Sequence, residues 1–134
     1  MDQKVEQYTQ LLDQWIKFYG FTSLNVNEAA GADKVYHRSR IEPTKFGNVD
    51  FYICAKHIPN VTPQLLRDFS TKMFSLANSH RTGLPLGFGA MLQVFPLIIT
   101  ENITAEVANY IKGSYCPKHF AASEFPSIID VNTG

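Results

Sequence analysis

The sequence has no excess of charge of either sign: twelve Lys and Arg stand against twelve Asp and Glu, with four His besides. Nucleic-acid binders draw most of their affinity from phosphate neutralisation and carry a basic surplus for it. A balanced chain with a pI near 6.9 gives no indication of a nucleic-acid partner. The longest basic cluster, His37, Arg38 and Arg40, is interrupted by Ser39 and reads as the solvated face of a strand. Cysteine is scarce as well. Cys54 and Cys116 are the only two, too few for a disulfide scaffold. Long apolar runs are missing: no stretch approaches the roughly 18 to 20 residues of a membrane-spanning helix, so no membrane partner is expected. The start, MDQKVEQYTQ, is polar and lacks the apolar centre of a signal peptide. The cytoplasm is the default expectation.

What is present is bulk. Ten Phe, six Tyr and one Trp in 134 residues supply enough apolar surface for one real core, and disorder is excluded over most of the length. No repeat, low-complexity tract or linker divides the chain, so residues 1–134 are read as a single domain.

Periodicity gives the element order. Val5, Tyr8, Leu12, Trp15, Ile16 and Tyr19 recur at helical spacing, predicting a helix over residues 3–19 that Gly20 terminates and that packs its Trp on a sheet. A weak strand is expected over Phe21 to Glu28, then a break at Ala29 to Asp33. A mixed strand over Lys34 to Ile41 follows, near an edge or a wet face. Pro43 ends it, and the turn through Gly47-Asn48 makes a hairpin with the next strand. That strand, Val49 to Ile58, alternates without interruption. Val49, Phe51, Ile53 and Ala55 form its expected core face, and Asp50, Tyr52, Cys54 and Lys56 the other. Thr62-Pro63 opens a second helix to about Ser79, with Leu65, Leu66, Phe69, Met73, Leu76 and Ala77 as its stripe. GLPLGFG, residues 83–89, lacks the Lys-Ser/Thr of a phosphate loop and reads as a connector. Ala90 to Thr100 is apolar throughout, as in a central strand covered on both faces, with a bulge or break expected at Pro96. A short helix capped by Thr104 buries Val107, Tyr110 and Ile111 and ends at Gly113. Ser114 to Ser123 reads as loop, and Phe125 to Val131 as a last strand before a turn. Because the chain stops on that turn, a continuation beyond Gly134 is one expectation.

The fold class that follows is α/β with an α+β tendency: a mixed sheet of about four or five strands with three helices, in the order α-β-β-β-α-β-α-β. No cofactor is expected.

Four chemistries compete for the site. Cys54-Ala-Lys-His57 and Cys116-Pro-Lys-His119 pair zinc-type ligands, but residues three apart on a strand face opposite ways, so Cys54 and His57 converge only across a bend. The element order also resembles the core of restriction-endonuclease-like folds, which set an Asp and a Glu-x-Lys on adjacent strands to hold Mg²⁺ and activate water. The resemblance implies a divalent-metal site centred on Asp50 and Lys56. The residue two before Lys56 is Cys54, however, and a thiol does not replace a carboxylate for a hard cation. Third, His119 is a candidate base oriented by Glu124. Fourth, Phe88, Phe95, Phe120 and Phe125 leave apolar surface for a protein partner or a second copy. The favoured expectation is the last: a non-catalytic binding or self-associating module.

Overall fold

A computed structural model describes residues 3–24, 31–42, 47–80, 90–112, 118–119 and 122–132. In chain order these form α1 (Gln3–Phe18), β1 (Thr22–Leu24), β2 (Lys34–Glu42), β3 (Gly47–His57) and α2 (Pro63–His80). Then come β4 (Ala90–Thr100), α3 (Ala105–Lys112), β5 (Lys118–His119), β6 (Ala122–Glu124) and β7 (Ser127–Asp130). The mixed α/β class and the three expected helices are present. The GLPLGFG segment, Phe120 and Cys116 lie outside the described residues.

Helix ends follow their caps. Gly20, at φ +90°, closes α1: its N–H reaches the Lys17 carbonyl at 3.1 Å, and the Phe21 N–H reaches that of Ile16 at 3.3 Å. This is a Schellman closure, which needs a left-handed residue at that position. Arg38 Nη1 donates to the Tyr19 carbonyl at 2.9 Å, placing a cation where the helix dipole is negative. The Thr62 hydroxyl accepts the Leu65 N–H at 3.1 Å, and the Thr104 hydroxyl accepts that of Val107 at 3.3 Å, so both later helices start as expected.

The sheet runs β1-β2-β3-β4-β6-β5, with β7 beside β4. β1, β2 and β3 are an antiparallel meander; β3 pairs with β4 in parallel, and β4 pairs in parallel with both β6 and β7. α2 and α3 are therefore the crossovers that parallel neighbours require. Pro96 introduces no bulge: pairing passes from Asn48↔Ala90 to His57↔Ile99 without a slip. The reason is the direction of its missing donor. The Val94 carbonyl accepts the Phe125 N–H at 2.8 Å and that of Thr100 accepts the Val131 N–H at 2.9 Å, so every second residue of β4 turns its polar groups away from β3. Pro96 belongs to that set. Its absent N–H is lost towards Phe125–Pro126, where β6 gives way to β7. Both short strands keep one register against β4, so they are a single strand interrupted at that point.

The expected loop over Ser114 to Ser123 is corrected in part. Lys118 pairs with Ser123 and His119 with Ala122, in a two-residue antiparallel ladder at the sheet edge. So short and polar a strand leaves no periodic trace. β1 is likewise only three residues long and protects the edge of β2, whose Val35 and Tyr36 are buried.

The three helices divide between the two faces. Leu66, Phe69, Met73 and Ala77 of α2 and Val107 of α3 pack on Val35, Tyr52, Cys54, Leu92, Val94, Ile98 and Ala122. On the reverse face α1 sets Val5, with Tyr8 and Leu12, against Ala55, Leu97, Ile99 and Ile129. The expected roles of the β3 faces hold only in part. Val49 and Ala55 are buried as expected, but Phe51 and Ile53 on the same face are only half-buried, while Asp50, Tyr52 and Cys54 lie under α2 and are buried. Alternation identifies two faces but not which one the longer helix will cover.

Gly20 yields a direct check. A Cβ there would sit 3.6 Å from Arg38 Nε, an ordinary contact, so only the positive φ opposes a side chain. Gly20→Ala should cost about 1 to 2 kcal/mol, the left-handed penalty for an L-residue, in chemical denaturation. An unchanged midpoint would mean the closure contributes nothing.

Candidate functional site

Strand register, not sequence spacing, decides which polar groups meet. His37 on β2 lies opposite Tyr52 on β3, and Ser39 opposite Asp50, so His37, Tyr52 and Asp50 share the α2 face. His37 Nε2 is 2.8 Å from Asp50 Oδ1 and, facing a carboxylate, donates to it. The imidazole also leans on Tyr52, with ring centroids 4.6 Å apart. The Tyr52 hydroxyl is 3.0 Å from Nδ1 of His80, in the last turn of α2. Farther along the same row, the Ser70 hydroxyl donates to buried Glu124 at 2.5 Å. An imidazole oriented by a carboxylate is the geometry of a general base, since its second nitrogen is left to accept. The same bond also serves the fold, because it compensates an Asp that is 8 % exposed beneath a helix.

The other sequence candidates are dispersed. Lys56 shares the face of Asp50 but lies six residues farther along β3, about 20 Å at the rise of an extended strand. Among the described residues no carboxylate forms an ion pair with Lys56. Cys54 is fully buried, and desolvation pushes its thiol up to about 12, which keeps it protonated and a poor metal ligand. His57 points to the opposite face and pairs with Glu101 at the end of β4, while its backbone N–H donates to Asp33 Oδ2. Among the described residues no group of three His, Cys, Asp or Glu is arranged to hold a metal ion. Glu124 and His119 sit on adjacent strands, β6 and the edge strand β5, with Glu124 turned inwards to Ser70 and the His119 side chain outside the described set.

The reverse face has a different character. α1 carries apolar side chains around nearly half its circumference, at 100° per residue. Val5 and Ile16 are buried, Tyr8 and Leu12 half-buried. Leu11, Trp15, Phe18 and Tyr19 are left 62, 69, 82 and 56 % exposed. The packing expected of Trp15 and Tyr19 on the sheet is thus corrected: the apolar arc is wider than one sheet contact can cover. Asp13, on the opposite flank, fixes the orientation, accepting from the Tyr36 hydroxyl at 2.7 Å and pairing with Lys17 at 3.1 Å. The Tyr36 bond, with Lys17 adding to it against some desolvation, leaves the Asp13 carboxyl below its usual range, while burial and then Asp13 raise Tyr36. Trp15 and Phe18 each meet Tyr19 edge-on, at 6.0 and 5.3 Å between centroids. A cavity of 260 Å³ lies along Tyr8, Leu11, Leu12 and Trp15. Just past the helix end a second, of 270 Å³, is lined by Phe21, Arg38, Phe51, Ile53 and Phe95. Phe95 stacks on Phe125 at 5.2 Å, extending this floor.

The three exposed apolar side chains of α1 and Tyr19 just past its end amount to on the order of 500 Å² of apolar surface, at 150 to 250 Å² per aromatic ring. That is near the top of the largest patch a typical monomer shows, roughly 300 to 600 Å². Helical periodicity alone puts Trp15 and Tyr19 in the core and overlooks this patch; the signal that marks it is the width of the arc, which runs past Trp15 to Leu11 and Phe18. No family model matches the chain, and neither a curated protein nor a solved structure matches it. No described helix is long and apolar enough to cross a membrane.

The buried thiol gives the test for this region. In a Cys116→Ser background, Cys54 should resist alkylation at mildly alkaline pH in the native protein and react at once in denaturant. Rapid native labelling would contradict the burial that raises it.

Proposed function

We propose that the chain is a non-catalytic binding module whose working surface is the outer flank of α1 and the half-covered aromatic floor beside it. One observation carries the reading: Leu11, Trp15 and Phe18 are exposed together on one flank of α1, with exposed Tyr19 just past its end. Single exposed hydrophobics are ordinary, whereas a contiguous aromatic set is the composition of binding hot spots. A folding role does not account for them, because α1 is already anchored by Val5, Ile16 and the Asp13–Tyr36 bond. Supporting the same reading, Asp50 is engaged with His37 and lies far from Lys56, which weighs against a divalent-metal site centred on that pair. A polypeptide bound here would bury apolar side chains against Trp15 and Phe18 and set its polar rim beside Gln14.

Site-directed photo-crosslinking checks this in the full chain. A benzophenone side chain at position 18 should yield covalent adducts with bound polypeptide on irradiation, and the same probe at Glu6, on the opposite flank, should not. Equal labelling at both positions, or none at either, would sink the proposal.

A further inference from the structure

The α1 surface carries not only a projection but also a recess of its own. Phe18, 82 % exposed, stands at the end of the helix; three residues on, Phe21 forms one wall of the 270 Å³ cavity with Arg38, Phe51, Ile53 and Phe95. The recess is open on its outer side and lined by four apolar side chains and Arg38, and its volume exceeds the roughly 150 Å³ of an enclosed apolar cavity that takes up a benzene ring, which is room for a phenyl group. Phe18 does not fill it, because the Schellman closure at Gly20 turns the chain towards Arg38 and leaves Phe18 on the outer flank.

Resting on the reading of α1 as a binding face, we infer that its occupant is a second copy of this chain. The two copies are related by a two-fold axis, and Phe18 of each enters the cavity of the other. Three features favour a copy over an unrelated polypeptide. Projection and recess occur on the same face, which is the self-complementarity that an isologous contact demands. Charge on the face is sparse. Among the described residues that form the projection and line the recess, Arg38 is the one charged side chain, and it is turned to the Tyr19 carbonyl. A two-fold contact sets each charge near its own equivalent, so a face with few charges keeps that repulsion small. The area is sufficient too. About 500 Å² from α1 and Tyr19, with the half-buried floor of Phe51, Ile53, Phe95 and Phe125 added, approaches the roughly 800 Å² per partner of a standard specific interface.

Sedimentation velocity on the full chain, from low to high micromolar concentration, tests the inference. The wild type should pass from 15.1 kDa to twice that mass. Phe18→Asp should weaken the dimer by about 30-fold or more, the loss expected of a hot-spot side chain, while its circular dichroism melt stays that of a folded domain. Should Phe18→Asp fail to fold, Leu11→Lys serves in its place. A chain that stays monomeric at every concentration overturns the second copy. The binding-face reading then survives only if the position-18 crosslink captures a different polypeptide. A dimer that neither substitution weakens is built on another face and overturns the Phe18 contact between copies, and the binding-face reading again survives only if the position-18 crosslink captures a different polypeptide.

Discussion

The parallel pairing of β3 with β4, in one register from Asn48↔Ala90 to His57↔Ile99, is the constraint on which the remaining structure depends. A parallel pair cannot be closed by a tight turn, so the chain between must cross over, and α2 is that crossover. Once the register is set, alternation assigns every side chain of both strands to a face. Tyr52, Cys54, Leu92, Val94 and Ile98 go under α2 and α3; Ala55, Leu97 and Ile99 go under α1. Retaining that register through Pro96 costs little, since the lost donor points at a neighbouring strand that is itself broken at Pro126.

The two faces are covered unequally, and function is read from that inequality. An eighteen-residue α2 and an eight-residue α3 close one face, while a single sixteen-residue helix lies on the other and leaves Phe51, Ile53, Phe95 and Phe125 half-buried or poorly covered. The apolar arc of α1 continues past the sheet contact into Leu11, Trp15 and Phe18. Adjacent residues thus take different roles. Ile16, 7 % exposed, serves the fold, and Trp15, 69 % exposed, is left over from it.

Much of the fold is legible in the sequence because its signals are local. Thr62-Pro63, Thr104 and Gly20 mark helix ends through bonds to backbone groups a few residues away, and the β2–β3 hairpin follows from two adjacent alternating runs. The candidate site is much less legible. Asp50 stands out on its own strand, but its partner His37 is brought to it by antiparallel register, and His80 reaches Tyr52 through the length of α2. No spacing rule joins those residues. Cys54 and His57 carry the ligand types of zinc yet occupy opposite faces, as extended geometry requires. The exposure of Trp15 is hidden for a related reason: a helical stripe reports apolarity, whereas the sheet decides how much of it is used.

Comparing Trp15→Ala with Ile16→Ala in equilibrium denaturation of dilute protein tests the division of α1 most directly. The account predicts a loss of about 2 to 5 kcal/mol for Ile16, as for any large aliphatic removed from a core, and under about 0.5 kcal/mol for its neighbour. A Trp15→Ala variant as destabilised as Ile16→Ala would place the tryptophan in the folding core and contradict the reading of this flank as a surface for binding.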